Sequence, residues 1–188
     1  QFVSMLTSYE VQFAIVIWLS LEYQSAEVLA YAGIAGMLPQ AIIGPLAGVY
    51  IDRTNRKRIM ILSDTFIAVC AIVLIFILNK ETVNLVWIYI MLGLRSVGNA
   101  FHSPALQALA PLIVPKKELL RVAGINQMLH SICSIGGPAL GTVAIAILPI
   151  SNVLYLDLIG ALLAISSLMM VRIPQTIKGS KFSVQTIS

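Results

Sequence analysis

Six stretches of this chain are long, apolar and almost free of charge, and this pattern decides which solvent the chain folds in. They run Phe2–Leu21, Val28–Ile51, Ile59–Leu78, Val83–Phe101, Leu119–Leu148 and Ile150–Val171. A helix needs ~20 mostly apolar residues to cross ~30 Å of hydrocarbon, and each run supplies about that. The first turn of the fifth run is mixed, so its membrane part is expected to begin near Ala123. Of 188 residues 59% are apolar and only 11% are charged, against about 25% charged in a soluble domain. Too little polar material remains to cover a folded surface in water. In lipid the backbone must satisfy its own hydrogen bonds, so the expected fold is all-α, a polytopic membrane bundle of six transmembrane helices over residues 1–173. The stretch 174–188 is polar, lacks a helical period, and reads as a cytoplasmic linker or tail.

The basic residues give the bundle a direction. Arg53, Arg56, Lys57 and Arg58, then Lys116, Lys117 and Arg121, then Arg172, Lys178 and Lys181 fall on one side of the expected spans. The other side receives Lys80 alone, beside Glu22, Glu27 and Glu81, and Arg95 lies within a span. Cytoplasmic loops are enriched in Lys and Arg, so both termini are expected in the cytoplasm, with the chain multi-pass in the cell membrane. The net charge of +4 gives no reason to expect nucleic acid, because the cations cluster between apolar runs. The chain starts at Gln1, directly before an apolar run, and is expected to lack a short cytoplasmic lead.

Enzyme chemistry finds little support. The two histidines, His102 and His130, form no His-Glu-x-x-His motif, and the carboxylates are scattered over different spans. No Gly-x-x-x-x-Gly-Lys-Ser/Thr phosphate loop is present. Cys70 and Cys133 both lie inside apolar runs and read as buried structural thiols rather than as metal ligands or a disulfide. No cofactor and no metal site is expected.

Three stretches carry ordered signals. Gly44 to Ile59 reads Gly-Pro-Leu-Ala-Gly-Val-Tyr-Ile-Asp-Arg-Thr-Asn-Arg-Lys-Arg-Ile. Gly44 and Gly48 form a small-xxx-small pair that lets another helix approach closely, and Asp52 is followed by four cations. Taken alone, this is a basic anchor. Leu94 to Pro104 reads Leu-Arg-Ser-Val-Gly-Asn-Ala-Phe-His-Ser-Pro. An arginine in mid-span is costly and faces a polar cavity or a carboxylate. His102, seven residues on, shares roughly its face, and Ser103-Pro104 suggests a nearby helix end. Gly136 to Thr142 reads Gly-Gly-Pro-Ala-Leu-Gly-Thr, a kinked helix with a smooth face suited to close packing.

Together these stretches resemble the major facilitator superfamily. Gly48, Asp52, Arg53, Arg56 and Lys57 are similar to its loop signature Gly-x-Leu-Ala-Asp-Arg-x-Gly-Arg-Lys/Arg, with Tyr50, Ile51 and Asn55 as departures. Asn tolerates a left-handed turn, which makes the last departure mild. Arg95 and Gly98 resemble the fourth-helix motif of the family, with Val97 in place of its Gln. Gly137, Pro138 and Gly141 resemble the antiporter motif Gly-Pro-x-x-Gly-Gly, with Thr142 in place of the last Gly. Further likeness to the macrolide-efflux type lies in Arg95–Leu106, in Ala110-Pro-Leu-Ile-Val-Pro and in Val171-Arg-Ile-Pro.

The resemblance implies that this chain is the amino-terminal six-helix half of a twelve-helix drug:proton antiporter. Its partners would be the lipid bilayer, a carboxy-terminal six-helix half, a small-molecule substrate and protons. Asp52, Arg53 and Arg56 would form a conformational latch on the cytoplasmic side, and Arg95 would take part in proton coupling.

Glu10, Asp64 and Asp157 are the remaining intramembrane carboxylates. Glu10 reads either as a titrating group, since burial disfavours a carboxylate's charged form, or as a structural partner of Arg95. Asp64 reads as a partner for the basic loop, and Asp157 has no assigned role. Against proton-coupled export of a drug such as a macrolide stand two other readings: an exporter of a siderophore or other metabolite, and a non-transporting six-helix protein that dimerises through its glycine faces.

Overall fold

In lipid only intra-helical hydrogen bonds satisfy the backbone of an isolated span, and the apolar runs do fold as helices. The computed structural model describes residues 2–80 and 82–170. Outside the described residues lie the expected tail 174–188 with Lys178 and Lys181, the stretch Val171-Arg-Ile-Pro, and Glu81. Six α-helices make up the described chain: α1 Phe2–Tyr23, α2 Ala26–Asp52, α3 Arg56–Leu78, α4 Leu85–Ile113, α5 Leu119–Ile147 and α6 Ile150–Met170. No strand occurs among the described residues. All but α4 are long and apolar enough to cross a membrane. Helix α4 is the one that carries Arg95, Asn99 and His102.

Helix ends differ most from expectation in α4. Its apolar run stops at Phe101, yet the helix continues to Ile113, so His102 lies well inside it rather than near its end. A proline in a membrane helix does not stop it when neighbouring helices and local adjustments satisfy the freed backbone group. Helix α3 starts at the basic loop, with Asn55 as its N-cap: the side-chain Oδ1 accepts from the Arg58 backbone N–H at 3.2 Å. Asn55 has φ −73° and ψ 106°, which is extended backbone. The residue serves this loop as a cap, without using the left-handed conformation that Asn tolerates.

The packing repeats itself. Helix α1 packs on α5 and α6 as α4 packs on α2 and α3, while α3 and α6 meet each other. Exchanging α1–α3 with α4–α6 maps this pattern onto itself, the arrangement of two three-helix repeats. One apolar core holds Val11, Ile15 and Leu19 of α1 with Leu74, Ile88, Leu92, Val153 and Leu154. A second, at the end bearing the basic loop, holds Ala47, Ile51, Met60, Ala105, Leu109 and Leu168. Between them, along α4, come the buried polar residues Arg95 and His102. Outward, Met37, Leu62, Phe76 and Leu162 are each more than 60% exposed, as lipid-facing side chains must be.

A glycine sets the distance between α3 and α4. A Cβ on Gly98 would lie 2.6 Å from Cγ1 of Ile67, so α4 approaches α3 as closely as its backbone allows. Gly44 and Gly48, expected to seat a neighbouring helix, have nothing within 4 Å of a built Cβ. Ala47 points inward instead, at 1% exposure, which turns the two glycines away from the other described helices. Gly98→Val should therefore lower the thermal unfolding midpoint in detergent, by the about 1–3 kcal/mol typical of overpacking. Gly48→Ala in the same assay should leave it within experimental scatter.

Candidate functional site

Helix α4 carries the charge that must be answered first. Arg95 is 1% exposed, and a guanidinium stays protonated in proteins. Its Nη1 donates to Oδ2 of Asp157 on α6 at 2.7 Å, and the two side chains are 1% and 3% exposed. The other carboxylate oxygen of Asp157 accepts from Ser8 Oγ on α1 at 3.0 Å. Three helices thus converge on one ion pair. The sequence leaves open whether Glu10 partners Arg95; the carboxylate found on Arg95 is that of Asp157, projecting from α6. The Arg95 Nε is buried without a hydrogen-bond partner.

Two turns further along α4, His102 Nε2 lies 3.2 Å from Oδ1 of Asp64 on α3. Both residues are buried, and Oδ2 of Asp64 has no hydrogen-bond partner. Asp64 was expected to serve the basic loop. It faces into the bundle instead, because its place on α3 is shared with Ile67, Cys70 and Ala71 along the buried face.

Glu10 sits on α1 at 7% exposure, directly where α5 crosses. A Cβ built on Gly137 would lie 2.5 Å from Tyr9 Cβ, and one on Gly141 would lie 2.6 Å from the Glu10 carbonyl oxygen. The glycines of the Gly137-Pro138-x-x-Gly141 motif are thus the surface on which the Tyr9–Glu10 backbone rests. Only residues without a side chain allow that separation. Pro138 lies inside α5, which continues through it. Glu10 stands two residues after Ser8 on α1, whose hydroxyl donates to the Asp157 that pairs with Arg95.

His130 of α5 completes this crossing, and sequence reasoning missed it. The Tyr9 hydroxyl lies 2.9 Å from His130 Nε2, with the rings edge-to-face at 5.6 Å. Spacing offered a signal, since His130 is seven residues before Gly137 and so on the same helix face. Between α2 and α4, Ser96 Oγ accepts from the backbone N–H of Gln40 at 3.1 Å.

The basic loop lies apart from this cluster. Asp52 and Arg56 pair at 3.5 Å, with the Asp52 side chain 70% exposed, and such surface pairs contribute little by themselves. Arg53 follows as the C-cap of α2. Lys57 Nζ donates to the carbonyl of Met169 at 3.4 Å, placing a cation at the carboxy-terminal end of α6, where the helix dipole favours it. No group of three or more potential metal ligands occurs among the described residues.

The sequence model of the Major Facilitator Superfamily matches residues 1–187. Macrolide efflux protein A of Streptococcus pyogenes is 39% identical over 175 residues, 93% of this chain and 43% of that protein. The protein of the same name from Enterococcus faecalis is 38% identical over 151 residues, 80% of this chain and 46% of that protein. A Bacillus subtilis protein described as the uncharacterized MFS-type transporter YkuC is 30% identical over 138 residues, 73% of this chain and 32% of its own length. This chain spans less than half the length of each of these relatives.

The Arg95–Asp157 pair is expected to behave as a buried ion pair whose halves depend on each other. Asp157→Ala should cost about 3–5 kcal/mol by stranding the guanidinium. The double variant Arg95→Met/Asp157→Leu should recover most of that loss, read as the thermal midpoint in detergent.

Proposed function

The chain belongs to the major facilitator superfamily, and on that premise we propose that it is the amino-terminal lobe of a proton-coupled exporter whose cargo is a macrolide-type drug. The observation that carries this reading is the α1–α5 crossing, where the Glu10 backbone rests on Gly137 and Gly141, two residues along α1 from the Ser8 that bonds Asp157 of the Arg95–Asp157 pair.

Two carboxylates that share a site of low dielectric do not readily both ionise. Asp157 has one oxygen on Arg95 and the other on Ser8, so it serves as the fixed partner of the guanidinium. Glu10 is then the carboxyl that takes up and releases the proton. Each change in its charge alters the field at Arg95 and the contact between α1 and α5. The bare glycine surface lets α1 shift against α5 without meeting a side chain, which couples protonation to movement of the lobe.

The basic loop serves this cycle as a latch. Lys57 fastens it to α6, while Asp52 and Arg53 stand exposed at the rim, where they can engage a second lobe. That second lobe is the carboxy-terminal half, and the relatives, each more than twice as long as their match to this chain, support it. Substrate passes between the lobes near the midplane. The bilayer is the cell membrane, with the loop of Arg53–Arg58 on the cytoplasmic side by the distribution of cations. The names of the relatives from Streptococcus pyogenes and Enterococcus faecalis favour a macrolide over a siderophore or other metabolite as cargo.

The test uses the complete reading frame that contains this chain, expressed in a macrolide-sensitive bacterial host. Glu10→Gln should abolish macrolide export at an unchanged level of protein in the membrane. Unaltered export by that variant would remove Glu10 from the coupling role. Export that persists after the proton gradient is collapsed would contradict proton coupling itself.

A further inference from the structure

Helices α2 and α3 leave the basic loop together but make few contacts with each other. The cleft between them, floored by α4, is a recess of about 730 Å³. Its walls are unusually regular. Helix α2 supplies Ile43, Leu46, Ala47 and Tyr50, and α3 supplies Ile59, Leu62, Ser63 and Phe66. Each set has the i, i+3, i+4, i+7 spacing of one helix face, so both walls run two turns from the loop toward the bilayer interior. Val97, Gly98 and Phe101 of α4 form the floor. Apart from the hydroxyls of Tyr50 and Ser63, the lining side chains are apolar.

Charge stands only at the mouth. Ile59 is the residue after Arg58, and Tyr50 is three residues before Arg53; both arginines are exposed. The acidic residue at this mouth, Asp52, already faces Arg56. A long apolar slot inside the hydrocarbon layer, capped by guanidinium groups at the interface, matches a molecule with an alkyl tail and an anionic head. Basic pockets between membrane helices take anionic lipid head groups on these grounds, and arginine suits phosphate because its planar fork donates two hydrogen bonds at once. A neutral drug would fill the slot but leave the cations unused. A free phosphate would use the cations but leave the slot empty.

We propose that the α2–α3 cleft is a binding site for an anionic phospholipid, with one acyl chain between Leu46 and Leu62 and the phosphate on Arg53 and Arg58. Resting on the latch reading above, the bound lipid would fill the gap that the two helices leave and occupy Arg53 of the latch with a phosphodiester, beside Asp52 and Arg56. Lipid composition would then bear on how the basic loop is presented.

The test is native mass spectrometry of the purified chain from micelles holding equal amounts of phosphatidylglycerol and phosphatidylcholine with identical acyl chains. The unaltered chain should retain phosphatidylglycerol in preference by roughly tenfold or more. Arg53→Gln/Arg58→Gln should bring the two lipids to parity. Leu46→Trp/Leu62→Trp keeps every charge and changes two exposed side chains, so it fills the cleft while sparing the core; it too should abolish the preference, with helix content by circular dichroism unchanged. Equal retention by the unaltered chain would overturn the proposal. So would a preference that survives the tryptophan variant, because that result assigns the effect to charge attraction at the loop alone. Displacement of the bound lipid by a neutral apolar molecule with no loss in the arginine variant would likewise overturn it.

Discussion

A guanidinium does not lose its charge in proteins, and Arg95 sits inside the bundle at 1% exposure. Its charge must be matched on the spot, and Asp157 reaches it from α6, a helix that α4 hardly touches otherwise. Ser8 then brings α1 to the same carboxylate. The neighbouring His102–Asp64 contact ties α4 to α3 in the same manner. Helix α4 therefore acts as the spine of the bundle, with polar contacts on one face between two apolar cores. An apolar pair in place of Arg95 and Asp157 would hold these helices at less electrostatic cost. Retention of a charged pair here fits a site whose work is done by charge.

Glycine provides the second constraint. Where Gly137 and Gly141 meet Tyr9 and Glu10, the separation leaves no room for a Cβ. The crossing is close enough that small displacements of α1 are felt by α5, and smooth enough to permit them. Tyr9 and His130 fasten one edge of it by hydrogen bond and ring contact. Glu10 is thus held at a joint between helices.

Much of this architecture was legible in the chain, for a physical reason. Burial in lipid must be written into every residue of a span, so the six apolar runs and the cation asymmetry at their ends could be read directly. Pairing could not. Arg95 and Asp157 stand 62 residues apart, and nothing local distinguishes Asp157 from Glu10 as the partner; only the packing of α6 against α1 decides it. The same holds for Asp64, whose position on α3 suited the basic loop as well as it suited His102. The glycine motifs announced a close contact but not its partner. Gly137 and Gly141 found theirs on α1, whereas Gly44 and Gly48 have none among the described helices. In the sequence Asn55 shows only its tolerance of a left-handed turn; its side chain instead caps the start of α3.

The central claim is that Asp157 is held as the permanent counter-ion of Arg95 while Glu10 carries the exchangeable proton. Infrared difference spectroscopy of the chain in membranes, recorded between acid and alkaline buffer, addresses both halves at once. The account predicts a protonated-carboxyl band that titrates, disappears in Glu10→Gln and survives in Asp157→Asn. A band that persists in Glu10→Gln, or that is lost in Asp157→Asn, would contradict it.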